Sequence, residues 1–268
     1  MMKKNFKKAS LSILISSLFF MNYSIADEYK VDLYPLAQTS AYVPTLDTAK
    51  LMDADGKLNN ELKSFVHSKH DSQLLKGKNI AILATDGVEE LEILVPLNYL
   101  RQVGAHVTVV SPRKEILPDT LGLKIPEIRS THIMTVRLME NSGWLPIDKY
   151  IDEVSANNFD GLVLPGGAWN PDFLRTNANA LEFVESIVNA NKPLATICHG
   201  PLVLISADLV KGRNMTGYWA IMKDLENAGA HVQDQPVVID GNIISSRFPY
   251  DIPRMLNAFT KKLKIKST

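Results

Sequence analysis

The sequence predicts an α/β domain, a three-layer sandwich in which a mostly parallel sheet lies between two layers of helices. Three observations predict it. Short apolar runs without polar alternation, NIAILAT (79–85), HVTVVSP (106–112), FDGLVLPGG (159–167) and PLATI (193–197), read as strands buried on both faces. Segments with apolar residues at helical spacing stand between them. Glycine and proline punctuate each unit, so the order is strand, helix, strand, the arrangement that parallel pairing requires.

The elements follow in order. Residues 1–26 have the layout of a secretory signal: a basic start (Lys3, Lys4, Lys7, Lys8), an apolar run LSILISSLFF (11–20), and Ser24-Ile25-Ala26 ahead of Asp27. The run is too short to span a bilayer comfortably, so export to the periplasm or the medium, without stable membrane anchoring after cleavage, is the expectation. Cleavage leaves 242 of the 268 residues and, by removing four lysines and no acid, takes the formal net charge from 0 to −4. That charge argues against a nucleic-acid partner, which would need a basic surface. A composition of 46% hydrophobic and 22% charged residues suits a globular protein with one sizeable core. Residues 27–76 are weakly patterned and read as an N-terminal extension with one short helix, 61–68.

From Gly77 to about residue 264 the pattern is regular. After the first strand, DGVEELEILVPLNYLRQVG carries Leu91, Leu94, Val95, Leu97, Leu100 and Val103 at helical spacing, with Pro96 expected to kink the helix. Residues 113–147 read as a variable insertion, in which RSTHIMTVRL could form an edge strand or hairpin. Asp148 is a candidate N-cap for a helix to about Ala156. Helices are expected over 180–191, 200–207 and the stretch AIMKDLENAG, with a strand near Arg213 to Thr216. Asp240-Gly241 between two apolar runs signals a hairpin, and Asp251 is the expected cap of the last helix, IPRMLNAFTKKL. Residues 265–268 are a tail.

Functional groups in such a sheet gather beyond the carboxyl ends of the strands. Four loops fit: TDGVEELE, LPGGAWNPD, TICHGP and MTGYW. The third holds Cys198, the sole cysteine of the chain, so no intramolecular disulfide exists. A lone cysteine is ordinarily a small buried hydrophobe. Here it stands where a strand meets a Gly-Pro that opens a helix, the device that exposes a nucleophile and aims backbone N–H groups at an oxyanion. A helix N-terminus and His199 alongside are both expected to lower its pKa. His67, His70, His106, His132 and His231 show no paired spacing that would make a metal site, and neither glycine loop has a dinucleotide fingerprint, so no cofactor is implied.

DGVEELE, LVLPGG and TICHGP, in this order and spacing, resemble the PfpI-type cysteine peptidase family, relatives of the parkinsonism-associated deglycase protein within the class I glutamine amidotransferase-like superfamily. The likeness runs on through GRNMTGYWAIMKDLENAGA and VVIDGNIISSR and covers roughly residues 77–264. It implies a flavodoxin-like fold with a nucleophile-elbow cysteine. Position by position, it implies Cys198 as nucleophile, His199 as its histidine, and Glu92 as a protonated carboxyl bonded to the sulfur. It also implies Glu89 as a second pocket acid, Gly166 and Gly167 as the facing loop with the N–H groups of Gly167 and His199 as oxyanion hole, and Tyr218 in the pocket wall. Asp172 falls near the acid that orients the histidine across a subunit boundary, which implies a homo-oligomer, although AWNPD is a residue longer than some family versions. Read bare of the resemblance, the glutamates are helix-start anions, the glycines a tight turn, Asp172 a turn residue and Tyr218 a core aromatic.

The expected activity is that of a cysteine hydrolase acting on the carbonyl of a peptide or amide. The alternatives are glyoxalase- or deglycase-type handling of a small aldehyde, and a non-enzymatic redox-responsive stress protein using the same thiol.

Overall fold

The computed structural model describes residues 56–114, 127–138 and 140–264. The signal-like segment, most of the N-terminal extension, the middle of the 113–147 insertion and the C-terminal tail lie outside the described residues.

Twelve strands and seven α-helices are present among them. In chain order they are α1 (Gly56–His67), β1 (Asn79–Leu83), β2 (Val88–Glu89), α2 (Glu90–Gln102), β3 (His106–Ser111), β4 (His132–Arg137), β5 (Glu140–Pro146), β6 (Lys149–Tyr150) and β7 (Gly161–Leu164). There follow α3 (Asn170–Leu174), α4 (Ala178–Asn189), β8 (Leu194–Ile197), α5 (Pro201–Ser206), β9 (Asn214–Met215), α6 (Met222–Asn227), β10 (His231–Val232), β11 (Val237–Asp240), β12 (Ile243–Ser246) and α7 (Ile252–Lys264).

The main sheet has seven strands in the order β11-β12-β8-β7-β1-β3-β6, and every pairing but β11 with β12 is parallel. Strand β1 explains why its sequence lacks polar alternation. Ile80 and Ile82 enter one core, with α2 and α7, whereas Ala81 and Leu83 enter the other, with α4 and α5. Both faces are thus dry, and the three-layer expectation is met. Leu62 and Leu75, from the stretch before Gly77, also pack into the first core.

Several local expectations are corrected. No helix follows Asp148: its carboxylate accepts the Val109 N–H at 2.8 Å, and the chain continues as β6, paired in parallel with β3. Tertiary pairing overrides the capping signal there, and only short 3₁₀ turns, Ile151–Glu153 and Ala156–Asn158, precede β7. The strand expected near Arg213 to Thr216 shortens to β9, which pairs with β10 in a separate two-stranded sheet. Asp251 lies just before α7, but its buried carboxylate accepts from Arg247 Nε at 3.0 Å. Helix α2 runs from Glu90 to Gln102 through Pro96 without interruption. RSTHIMTVRL contributes β4 of a hairpin, which joins β2 in a third sheet ordered β2-β4-β5. The hairpin at Asp240-Gly241 forms as expected, with Gly241 at φ 57°.

Candidate active site

Strands β8, β7 and β1 are neighbours at the centre of the sheet, so the loops leaving their carboxyl ends converge. Each loop is shaped by a local requirement of its own. After β8 the chain turns sharply at Cys198, which holds φ 59°, a left-handed conformation that a non-glycine residue adopts only when its surroundings impose it. Three backbone bonds impose it here. Cys198 N–H donates to Ser246 O (3.1 Å), Tyr218 N–H to Cys198 O (2.9 Å), and Gly200 N–H to Ile197 O (2.9 Å). The turn also needs empty space beside it. A Cβ on Gly200 would stand 2.6 Å from Leu164 O, and one on Gly166 would stand 2.7 Å from His199 N.

The loop after β7 faces this turn. Gly167, at φ 105°, forms an isolated bridge with Val88 and approaches so closely that a Cβ would lie 2.2 Å from Gly87 O. Asn170, fully buried, locks the same loop to the one after β1. Its Oδ1 accepts Thr85 N–H at 2.7 Å, and its Nδ2 donates to Pro165 O and Gly166 O at 2.9 and 3.0 Å. The sequence reading missed Asn170, and an asparagine before proline in AWNPD had the look of a turn residue and nothing more. The β1 loop is fixed from behind by Asp86, whose buried carboxylate accepts from Lys114 Nζ (2.6 Å), Arg129 Nε (2.8 Å) and Met134 N–H (2.8 Å). Burial of Lys114 lowers its pKa, against the pull of Asp86.

Cys198, Glu92 and His199 are brought together. Glu92, on the first turn of α2, is fully buried. Its Oε2 accepts Gly166 N–H at 2.8 Å. Oε1 is buried without a hydrogen-bond partner among the described residues, and the Cys198 thiol bears on the carboxyl through its titration. Burial, reinforced by the charge of Glu89, pushes the Glu92 pKa up to about 8, so the acid holds its proton at neutral pH. Cys198 is buried, 7% exposed as a residue. It is not open to solvent as the sequence suggested, nor is its pKa lowered. Burial and Glu92 push it up, while the N–H groups of His199 and Gly167 pull the other way. The two acids therefore do not ionise together. His199 Nδ1 lies 3.2 Å from Sγ, and burial lowers the imidazole's pKa, which keeps it neutral and able to accept a proton.

The other expected residues take different places. Glu89 is buried in β2, with Oε2 accepting Leu138 N–H at 2.8 Å; it borders Glu92 electrostatically, and burial raises its own pKa. Gly166 supports Glu92, whereas Gly167 N–H is the one aimed at sulfur. Tyr218 stacks on His199 at 4.9 Å between ring centroids, and burial raises its pKa. Asp172, on α3, is not hydrogen-bonded to His199 within this chain. Its side chain is 65% exposed, its nearest cation is Arg175 at 3.9 Å, and it reaches the imidazole only through its charge. Among the described residues no group of three or more His, Cys, Asp or Glu could hold a metal ion.

This geometry has relatives. A family model described as "DJ-1/PfpI family" matches residues 78–262. The chain is 39% identical over 175 residues, 65% of its length and 92% of the relative's, to "Putative cysteine protease YraA" of Bacillus subtilis. It is 36% identical over 185 residues, 69% of its length and 99% of the relative's, to "Deglycase PfpI" of Pyrococcus furiosus. Among solved structures, a two-domain protein from Anabaena variabilis with DJ-1/ThiJ/PfpI-like and ferritin-like domains superposes with a TM-score of 0.60 at 35% identity, covering 71% of this chain. This chain spans about half of that one, 49%. With a family model matched across its regular core and relatives matched over nearly their whole length, the chain belongs to the DJ-1/PfpI family.

Proposed function

We propose that this protein is a cysteine-dependent enzyme that adds the Cys198 sulfur to a carbonyl carbon, with α-oxoaldehydes or their adducts as the first substrate class. The observation that carries this reading is a thiol whose proton has a ready acceptor in His199 Nδ1 at 3.2 Å, in one site with the fully buried Glu92 carboxyl, whose pKa burial pushes up to about 8.

As sulfur bonds to the aldehyde carbon, His199 takes the thiol proton and the carbonyl π electrons pass to oxygen. The N–H groups of Gly167 and His199, already directed at the sulfur, donate to that oxyanion. The imidazolium returns its proton to give a hemithioacetal. His199 then moves the C–H proton from the sulfur-bearing carbon to its neighbour through an enediol, which leaves a thioester. Water, deprotonated by the same imidazole, cleaves the thioester to a 2-hydroxy acid and the free thiol. Glu92 stays protonated throughout and stabilises sulfur whenever it carries charge.

Peptide or amide hydrolysis is the second reading, favoured by the likeness to the relative named as a cysteine protease. It asks more of His199, which must protonate an amine leaving group and so needs an orienting acid. Asp172, 65% exposed, acts on His199 only through its charge within one chain. A neighbouring copy could supply it, which makes this reading depend on oligomerisation.

Purified protein and a Cys198→Ala variant, assayed on methylglyoxal and on fluorogenic peptides, test the proposal. Cysteine-dependent loss of methylglyoxal with formation of lactate supports it. Turnover that survives the substitution overturns the nucleophile, and thiol oxidation without turnover of either substrate would leave the redox-responsive alternative.

A further inference from the structure

Asn170 opens α3 as a fully buried amide, with the exposed Trp169 before it and the exposed Asp172 two residues on. A buried amide is costly unless its hydrogen-bonding groups are met. Here both hydrogens and the oxygen are used. Nδ2 donates to Pro165 O at 2.9 Å and to Gly166 O at 3.0 Å, and Oδ1 accepts Thr85 N–H at 2.7 Å. The reverse orientation would set oxygen against two carbonyls and NH2 against an N–H, so the partners fix this one.

The two carbonyls belong to consecutive peptide units, and across a planar trans peptide the C=O and N–H point in opposite directions. The unit bearing Pro165 O carries Gly166 N–H, which donates to Glu92 Oε2 at 2.8 Å. The unit bearing Gly166 O carries Gly167 N–H, one of the two N–H groups directed at the Cys198 sulfur. One side chain therefore grips both units from behind while their N–H groups face the site. Glycine lets either side of a peptide turn inward, so the pair needs a restraint from outside the backbone. The loop has no room for one on the site's own side: a Cβ on Gly166 would stand 2.9 Å from Cys198 Cβ and 2.7 Å from His199 N. A carbonyl that accepts a hydrogen bond also makes the N–H of its own unit a stronger donor.

We propose that Asn170 is a positioning residue with two roles: through the Gly166 carbonyl it aims Gly167 N–H at the oxyanion, and through the Pro165 carbonyl it holds Gly166 N–H on Glu92. The first role rests on the carbonyl-adding function of Cys198; the second stands without it.

Two variants test this. Asn170→Asp keeps the shape and the acceptor for Thr85 N–H but, ionised, gives up both donors; Asn170→Ala gives up all three bonds and adds no charge. Each is assayed for kcat and KM on methylglyoxal, for thermal stability, and for the Glu92 titration midpoint by infrared difference against Glu92→Gln in the same background. In both variants kcat should fall by about tenfold to a hundredfold with KM nearly unchanged, because the loss is felt only by the charged oxygen. The Glu92 midpoint should rise above its wild-type value of about 8 by about one pH unit or more, since a bond to the carboxylate form is lost. Variants that melt earlier yet keep kcat and midpoint make Asn170 a brace of the loops and overturn the proposal. Failure of both variants to fold overturns it too. Unchanged kcat overturns the first role, and a midpoint that stays, or moves in Asn170→Asp alone through the new charge, overturns the second. A wild type that leaves methylglyoxal untouched, or Cys198→Ala that still consumes it, removes the carbonyl reading and the first role with it, while the midpoint still decides the second.

Discussion

Glu92 is buried between Gly166, Cys198 and Glu89, and burial there has a consequence for stability that can be separated from catalysis. Between the ordinary carboxyl value of 4.5 and about 8, the folded chain holds a proton that the unfolded chain has released. Stability contributed at this position therefore falls as pH rises through that window and levels off above it. Glu92→Gln keeps an acceptor for Gly166 N–H and a donor for sulfur, without an ionisable proton. The variant should match the wild type near pH 4.5 and exceed it by on the order of 2–4 kcal/mol at pH 7 to 8. Denaturant melts at the two pH values measure this; a gap that narrows with rising pH would contradict it. At the same scale, sequence alone pointed to Cys198, His199 and Glu92, since motif spacing survives without coordinates. It misjudged the cysteine's exposure and missed Asn170, because both depend on loops that meet only after folding.

At the scale of elements, the turn from β8 into α5 depends on Gly200 having no side chain. A Cβ there would crowd two backbone carbonyls, Leu164 O at 2.6 Å and Ile197 O at 2.9 Å, and neither can swing away as a flexible side chain would. Gly200→Ala should cost about 1–3 kcal/mol of stability and most of the activity, because relief of the clash must move Cys198. A thermal melt and a methylglyoxal assay on the variant check both, and unchanged values would show the turn to be less constrained than described. Strands and long amphipathic helices were legible because their apolar patterns persist over many residues. The misread element at Asp148 shows the limit: an aspartate ahead of a short mixed stretch signals a helix cap equally well as an edge strand, and the free N–H of Val109 decided it. The same holds for β9, too short for pattern to reveal that its partner is β10 rather than the main sheet.

For the whole molecule, two expectations from the sequence extend past the described residues or past one chain, and each makes a prediction. Export by residues 1–26 predicts that protein recovered from the periplasm or medium begins at Asp27, a mass and N-terminal sequence that are simple to read. A full-length chain retained in the cytoplasm would remove that expectation. Asp172, exposed on α3 and bound only loosely to Arg175, is free to reach a second copy. If it does, peptide cleavage per chain should fall on dilution in step with dissociation, whereas under the proposed aldehyde chemistry, whose steps use only Cys198, His199 and Glu92 of one chain, methylglyoxal turnover should hold.

The central claim is that Glu92 keeps its proton beside the Cys198 sulfur at neutral pH. The infrared difference spectrum between wild type and Glu92→Gln addresses it most directly, since it isolates one carboxyl. The account predicts a protonated-carboxyl carbonyl band at pH 7 that gives way to carboxylate bands as pH passes about 8. Carboxylate bands alone at pH 7 would contradict it.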